Sequence, residues 1–309
     1  MSPFSALPRK LILGAADSRR LRKVVDRYGM RLGAARFVAG ETLDECIPVL
    51  RRLNEAGLHA NTTLLGEEIP TPEGAEAAVG AYVKILDRLA AERLRANVAL
   101  KLTHLGLVID EEIAFENVQR LVAHAAGLGL FIRIDMEQSE YVTPTLRTYE
   151  RLRAAGHDNV GVVLQAYLYR SPDDLRRLLP LAPNVRIVKG AYLEPPAVAH
   201  PEKKDVDAAY VQLVETGLRG GAYVAVATHD EKIIRRVLAF AKREGIGRDR
   251  FELQMLYGVR PALQRTLAAR GYKVLVATPF GPDWYPYLLR RLAERPANLL
   301  FFLKNLVRR

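Results

Sequence analysis

Short apolar runs rich in Val, Ile, Leu and Ala alternate along the chain with segments whose apolar residues recur at helical spacing. The runs are HANTTLLG (59–66), NVALKLT (97–103), LFIRIDM (130–136), VGVVLQAY (160–167), NVRIVKGA (184–191), AYVAVAT (222–228), FELQML (251–256) and YKVLVAT (272–278). Segments of helical period lie between them, for example 73–91, 112–127, 145–155, 206–218 and 231–244. Another, 43–56, precedes the first run and stops at Gly57, which suits a helix C-terminus. Nearly continuous apolar strands are buried on both faces, so the pattern predicts a parallel sheet covered by helices. Eight strand–helix units in about 250 residues fit a closed barrel better than an open doubly wound sheet. The open alternative needs a glycine-rich turn after its first strand, and LLGEEIPTP (64–72) holds one glycine. The expected fold is therefore α/β: a (β/α)8 TIM-type barrel with a helical N-terminal arm over residues 1–57. No linker or composition shift divides residues 1–309, so a single domain is expected.

Composition narrows the class. Hydrophobic residues make up 49% and charged residues 26%, enough for a large core and unlike a disordered chain. No run of about 18 apolar residues offers a membrane span. The start, MSPFSALPRKLILGAADSRR, has no clear cleavage site and reads as an arm rather than a signal peptide. The single cysteine, Cys46, has no internal disulfide partner, and a reducing cytoplasmic location is expected. The formal charge of +11 is spread over many helices, from Arg19, Arg20, Arg22 and Lys23 to Arg308 and Arg309. That scatter, with 7% aromatic residues, argues against a nucleic-acid-binding module and for a solvated surface. A weak peripheral attraction to acidic lipid at the inner face of the cell membrane is the alternative use of the charge.

In such a barrel the chemistry sits at the carboxyl ends of the strands. Polar residues fall there on six strands: Lys101 and Thr103, Arg133 and Asp135, Gln165 and Tyr167, Arg186 and Lys189, Thr228 and His229, and Gln254. A charge inside an apolar run needs a partner or a purpose. After the eighth strand, GPDWYPYLLRRLAERPANLLFF has Pro282 and Asp283 at a helix start and Pro296 past its end. On that helix Tyr287, Arg290, Arg291 and Glu294 share one face. The face is either solvated, with an Arg290–Glu294 pair, or turned over the barrel mouth. In the second case two adjacent guanidinium groups form a forked donor array suited to a carboxylate, beside a tyrosine wall for a small ring.

Several ordered motifs resemble the proline dehydrogenase family, specifically its short monofunctional bacterial members. They are LLGE (64–67), LKLTHLG (100–106), RIDME (133–137), VLQAYLYR (163–170), RIVKGAY (186–192), ATHD (227–230), FELQMLYGV (251–259) and YLLRRLAERPAN (287–298), covering the chain from about Phe37 to Leu303. The resemblance implies an FAD-containing barrel that oxidises L-proline to Δ1-pyrroline-5-carboxylate and passes electrons to a quinone. It implies that Arg290, Arg291 and Lys101 hold the substrate carboxylate and that Tyr192, Leu256 and Tyr287 pack on the ring. It implies that Glu67 pairs with Arg290 to close the mouth once substrate is bound and that Asp135 stands near Lys101 and the bound amine. Gln165, Arg186, Lys189, Ala191, Tyr192, Thr228, His229 and Gln254 would line the flavin, and Glu294 and Ala277 would border the substrate pocket.

Two positions depart from the family pattern. Ala277 stands where the family has a tyrosine beside C4 of the ring, and Thr63 where it has an aspartate. Both fall at the substrate end, so 4-hydroxyproline or another substituted cyclic amino acid is an alternative substrate. Other classes are weaker. A Schiff-base lyase would use Lys101 or Lys189 as nucleophile. A metal hydrolase would draw on Asp135 and His229, but six histidines without His-x-His or HExxH spacing make a poor ligand set, and no metal is expected.

Overall fold

A computed structural model describes residues 34–288. Eight parallel strands close in sequence order into a barrel: β1 (His59–Leu64), β2 (Ala96–Leu100), β3 (Ile132–Ile134), β4 (Val160–Gln165), β5 (Asn184–Val188), β6 (Tyr223–Ala227), β7 (Phe251–Leu256) and β8 (Val274–Phe280). Closure is made by β8 against β1, from His59 opposite Leu275 to Leu64 opposite Phe280. The helices are α1 (Leu43–Glu55) ahead of the barrel, then α2 (Pro72–Ala91), α3 (Glu111–Gly127), α4 (Val142–Ala154), α5 (Ser171–Leu178), α6 (Lys203–Arg219), α7 (Glu231–Arg243) and α8 (Pro261–Ala269). A last helix begins at Trp284. The start of the expected arm, residues 1–33, lies outside the described residues, as do residues 289–309.

Strand residues alternate between the barrel interior and the helices. Val98, Leu100, Ile132, Ile134, Val160 and Val162 face outward into one continuous apolar layer with the inner faces of the helices. Each such side chain, fully buried, contributes roughly 1.5–3 kcal/mol. Caps place the helix starts: Thr71 accepts from Gly74 N–H, and Asp110 accepts from Glu112 and Ile113 N–H. Cys46 lies in this layer, its thiol 3.6 Å from Thr62 Oγ1, and burial pushes its pKa up to about 11.

The interior is more polar than the apolar runs suggest. Arg133, expected at the rim, is 1% exposed and crosses the barrel instead. Its Nη1 donates to Asn184 O (2.7 Å) and its Nη2 to Asn184 Oδ1 (2.6 Å), at the amino end of β5. Gly161 of β4 leaves the gap it passes through. On the same level Glu252 accepts from Gln254 Nε2 (2.6 Å), Tyr223 OH (2.8 Å) and Lys273 Nζ (2.9 Å). Burial pushes the Glu252 pKa up, but Lys273 and Arg133 outweigh it and hold the carboxyl below its usual range. The barrel is thus sealed below its mouth by hydrogen-bonded polar groups, as buried charge requires.

A second, smaller apolar cluster joins the segment before α1 to the start of the last helix: Phe37, Val38 and Leu65 with Trp284, Tyr285 and Leu288, flanked by Val259 and Tyr287. Ala39 N–H donates to Pro279 O, Gly281 N–H to Gly40 O, and Trp284 Nε1 to Glu41 Oε1 (3.0 Å). Gly258 supports this junction at φ +74°, where a Cβ would overlap the carbonyl of Arg36. Gly258→Ala is expected to cost about 2 kcal/mol, combining a left-handed backbone with a backbone clash. Thermal unfolding should show a drop of a few degrees.

Candidate active site at the carboxyl end of the barrel

The strands deliver a ring of polar side chains to one end. Lys101 follows the last residue of β2 and its ammonium pairs with Glu67, on the loop after β1. Both side chains are mostly covered, at 14% and 29% exposure. Asp135, just past β3, accepts from Arg186 Nη1 of β5 at 2.6 Å. The other guanidinium atoms of Arg186, Nε and Nη2, are buried without a partner. Gln165 ends β4; its Nε2 donates to Glu137 O (3.2 Å), while its Oε1 is buried and unpartnered.

Further round the ring, Lys189 pairs with Asp207 of α6, which also receives Lys203. Burial pushes the Asp207 pKa up, yet the two ammonium groups outweigh it and hold the carboxylate low. Ala191 and Tyr192 follow on the same loop, both half-buried. After β6, Thr228 Oγ1 accepts from Asp230 N–H (3.2 Å), and Asp230 caps α7 by accepting from Lys232 N–H (2.9 Å). His229 Nε2 accepts from Leu256 N–H at 2.8 Å, so a neutral ring carries its proton on Nδ1. Leu256 ends β7 and lies in register with Ala277 of β8, which in turn faces Asn61 of β1. Thr63, Ala277 and Tyr287 are all half-buried.

The structure adds pairings and positions that the motifs did not specify. The carboxylate of Asp135 pairs with Arg186, a partner the motifs did not specify, because the inward positions of β3 and β5 meet across the intervening β4. Glu67 pairs with Lys101, while Arg290, its expected partner once substrate is bound, lies outside the described residues. Gln254 turns inward and downward to Glu252. The runs at 97–103 and 130–136 give strands only to 100 and over 132–134, so Lys101 and Asp135 sit in the loops just beyond. Arg290, Arg291 and Glu294 lie outside the described residues.

Two groups were not assigned a role from sequence. Glu137, last residue of RIDME, is 1% exposed and accepts from Thr103 Oγ1 (2.6 Å) and Thr103 N–H (3.2 Å). Burial pushes its pKa up to about 7, against the pull of Thr103 and Lys101. His104 is buried under the loop after β1, its ring against Gly66 and its Nδ1 3.4 Å from Tyr82 OH. Burial and then Lys101 push its pKa down to about 4. The signal for Glu137 was its place in RIDME, a carboxylate just beyond the carboxyl end of a strand. Among the described residues no group of three or more His, Cys, Asp and Glu assembles as a metal cage, and no helix is long and apolar enough to cross a membrane.

Covered charges gathered at the carboxyl face of a parallel barrel define a barrel enzyme, since that face carries the chemistry of this architecture. A family model described as proline dehydrogenase matches residues 46–303. Proline dehydrogenase of Deinococcus radiodurans is 42% identical over 306 residues, covering 98% of each chain. Proline dehydrogenase 1 of Bacillus subtilis is 38% identical over 301 residues, covering 97% of this chain and 99% of that one. The chain belongs to the proline dehydrogenase family and is an oxidoreductase. Its fold also matches proline utilization A of Bdellovibrio bacteriovorus, solved after inactivation by N-propargylglycine, with a TM-score of 0.81 at 24% identity. That match covers 89% of this chain but about a third, 34%, of the much longer relative.

Proposed function

We propose that the carboxyl end of the barrel binds L-proline and FAD side by side and oxidises the amino acid to Δ1-pyrroline-5-carboxylate. The observation that carries the cofactor assignment is the pair of unsatisfied buried groups, Arg186 Nε and Nη2 and Gln165 Oε1, on neighbouring strands. Unpaired polar atoms in such a place are costly unless a ligand completes them. The planar flavin offers carbonyl oxygens and ring nitrogens of matching character. Held there, FAD would supply a hydride acceptor for the substrate ring and a route for the electrons to a quinone.

This chain's own residues then have separable tasks. Lys101, with Arg290 and Arg291, holds the substrate carboxylate, a clamp that fixes the near-attack geometry hydride transfer depends on. Tyr192, Leu256 and Tyr287 supply apolar walls for the ring. Glu67 occupies Lys101 until the carboxylate arrives and then turns to Arg290. Asp135 keeps Arg186 oriented, and Arg186 lends positive charge to the cofactor's reactive edge. Gln165, Lys189, Ala191, Thr228, His229 and Gln254 border the flavin. The net charge of +11 also suits a brief encounter with the acidic membrane surface where quinones reside.

The purified protein should be yellow, and anaerobic proline should bleach its visible bands. A protein that stays colourless after incubation with FAD, and on which proline has no spectral effect, would overturn the assignment. Ala277 supports a second reading of the substrate. Its small, half-buried side chain beside Leu256 leaves space for a substituent on the ring. Steady-state kcat/KM for 4-hydroxyproline against proline decides between them.

A further inference from the structure

The loop that presents Glu67 is fastened to the turn after β2, and most of the fastenings run through one residue. Ile69 N–H donates to Thr103 O (3.0 Å), and Glu68 N–H donates to Thr103 Oγ1 (3.2 Å). Glu68 itself has positive φ (+56°), so the backbone beside Glu67 is held in a conformation it would not adopt unaided. The Thr103 hydroxyl has a single proton, and that proton goes to Glu137 Oε1 at 2.6 Å. With its proton committed to the carboxylate, the hydroxyl turns a lone pair toward Glu68 N–H. The other carboxylate oxygen takes Thr103 N–H, so both faces of the turn are pinned by one acidic group. On its other side Glu137 offers its carbonyl to Gln165, one of the residues assigned to the flavin.

We infer that Glu137 is a positioning residue for substrate binding: through Thr103 it sets the loop that lays Glu67 on Lys101. The inference rests on the reading of Glu67 and Lys101 as the substrate-side pair. Its physical support is the combination of burial and connectivity. A carboxyl group at 1% exposure is expensive to keep, and an apolar side chain would fill the same space at less cost. Groups retained against stability are the ones a site uses. The charged groups facing Glu137 are Lys101 and Glu67, and they pull its ionisation in opposite directions, while burial outweighs both and raises its pKa. Since the folded value lies above the ordinary 4.5, ionisation works against folding as pH rises from there through about 7.

Glu137→Gln keeps the shape but replaces one acceptor oxygen with an amide donor, so the two contacts to Thr103 are no longer satisfied together. It is expected to raise KM for proline about tenfold, the loss of one charge-assisted hydrogen bond's worth of alignment, with kcat within a factor of about three. Flavin content should be unchanged, and Tm at pH 8 equal to or above that of the parent. Thr103→Val should reproduce the KM defect, and Thr103→Ser, which keeps the hydroxyl, should restore it. A parental KM in Glu137→Gln overturns the inference. So does a KM defect equally large in Thr103→Ser and Thr103→Val, which would make the role one of packing. If Glu137→Gln does not fold, the Thr103 pair alone decides. A Lys101 variant with parental KM would instead sink the underlying substrate assignment, whatever Glu137 does.

Discussion

Lys101→Met is expected to lower kcat/KM for proline by about 10³-fold while flavin content and Tm stay near the parental values. Removing one member of a covered charge pair costs about 3–5 kcal/mol when the partner remains, and 4.1 kcal/mol is a thousandfold. Here the partner that suffers is the incoming carboxylate. Glu67, which pairs with Lys101 in the structure, is 29% exposed, so its carboxylate keeps contact with water when the ammonium is removed. The structural cost is therefore small and the loss appears in substrate binding, mainly in KM. Steady-state kinetics together with the visible absorbance of the purified variant check this. A variant that binds proline normally, or one that loses flavin along with activity, contradicts the placement of Lys101 on the substrate side.

Gly161→Ala is expected to be the most damaging small change in the barrel. The added Cβ would overlap Arg133 Nη1 and stand 2.6 Å from the carbonyl of Asn184. Neither neighbour has room to yield: the carbonyl is backbone at the start of β5, and the guanidinium is buried and committed to Asn184. Burial lowers the Arg133 pKa to about 10, so it stays charged at neutral pH and must keep its acceptors. Overpacking and a displaced buried charge together cost roughly 3–5 kcal/mol, a fall of about 10 °C in Tm or failure to fold. The double-mutant cycle with Arg133→Met isolates the cause. If the crossing is what forbids the methyl group, the alanine costs much less once the guanidinium is absent. An unchanged cost when Arg133→Met is already in place would locate the strain in the backbone alone.

The barrel was legible because each strand is buried on both faces, which leaves apolar runs with little else to be. Six of the helices were read for the same kind of reason: they run 13 to 20 residues, long enough for a helical period to show. Ser171–Leu178 and Pro261–Ala269, at 8 and 9 residues, are too short for that, although each carries a proline in its first turn. Arg133 shows a different limit. The sequence placed it among the strand-end groups and could not show that it runs down toward the amino end of the barrel, because the space it needs is made by Gly161, 28 positions later in the chain. The Asp135–Arg186 pair joins residues 51 positions apart, both singled out from sequence but for separate tasks. Glu137 stands in the same short motif as Arg133 and Asp135, yet its meaning depends on Thr103, and nothing in either local sequence couples the two. The motifs name single side chains; pairings among them belong to three-dimensional register.

The packing around Cys46 has a practical consequence. It is the chain's only sulfhydryl, and its surroundings keep it both covered and protonated at neutral pH, so reagents that attack thiolates have no native target while the fold is intact. A probe attached through a new cysteine at the exposed Leu193, on the loop that carries Tyr192, would report on the mouth alone without first stripping the native residue. Slow labelling of the unaltered chain, conversely, times the opening of the layer between α1 and β1.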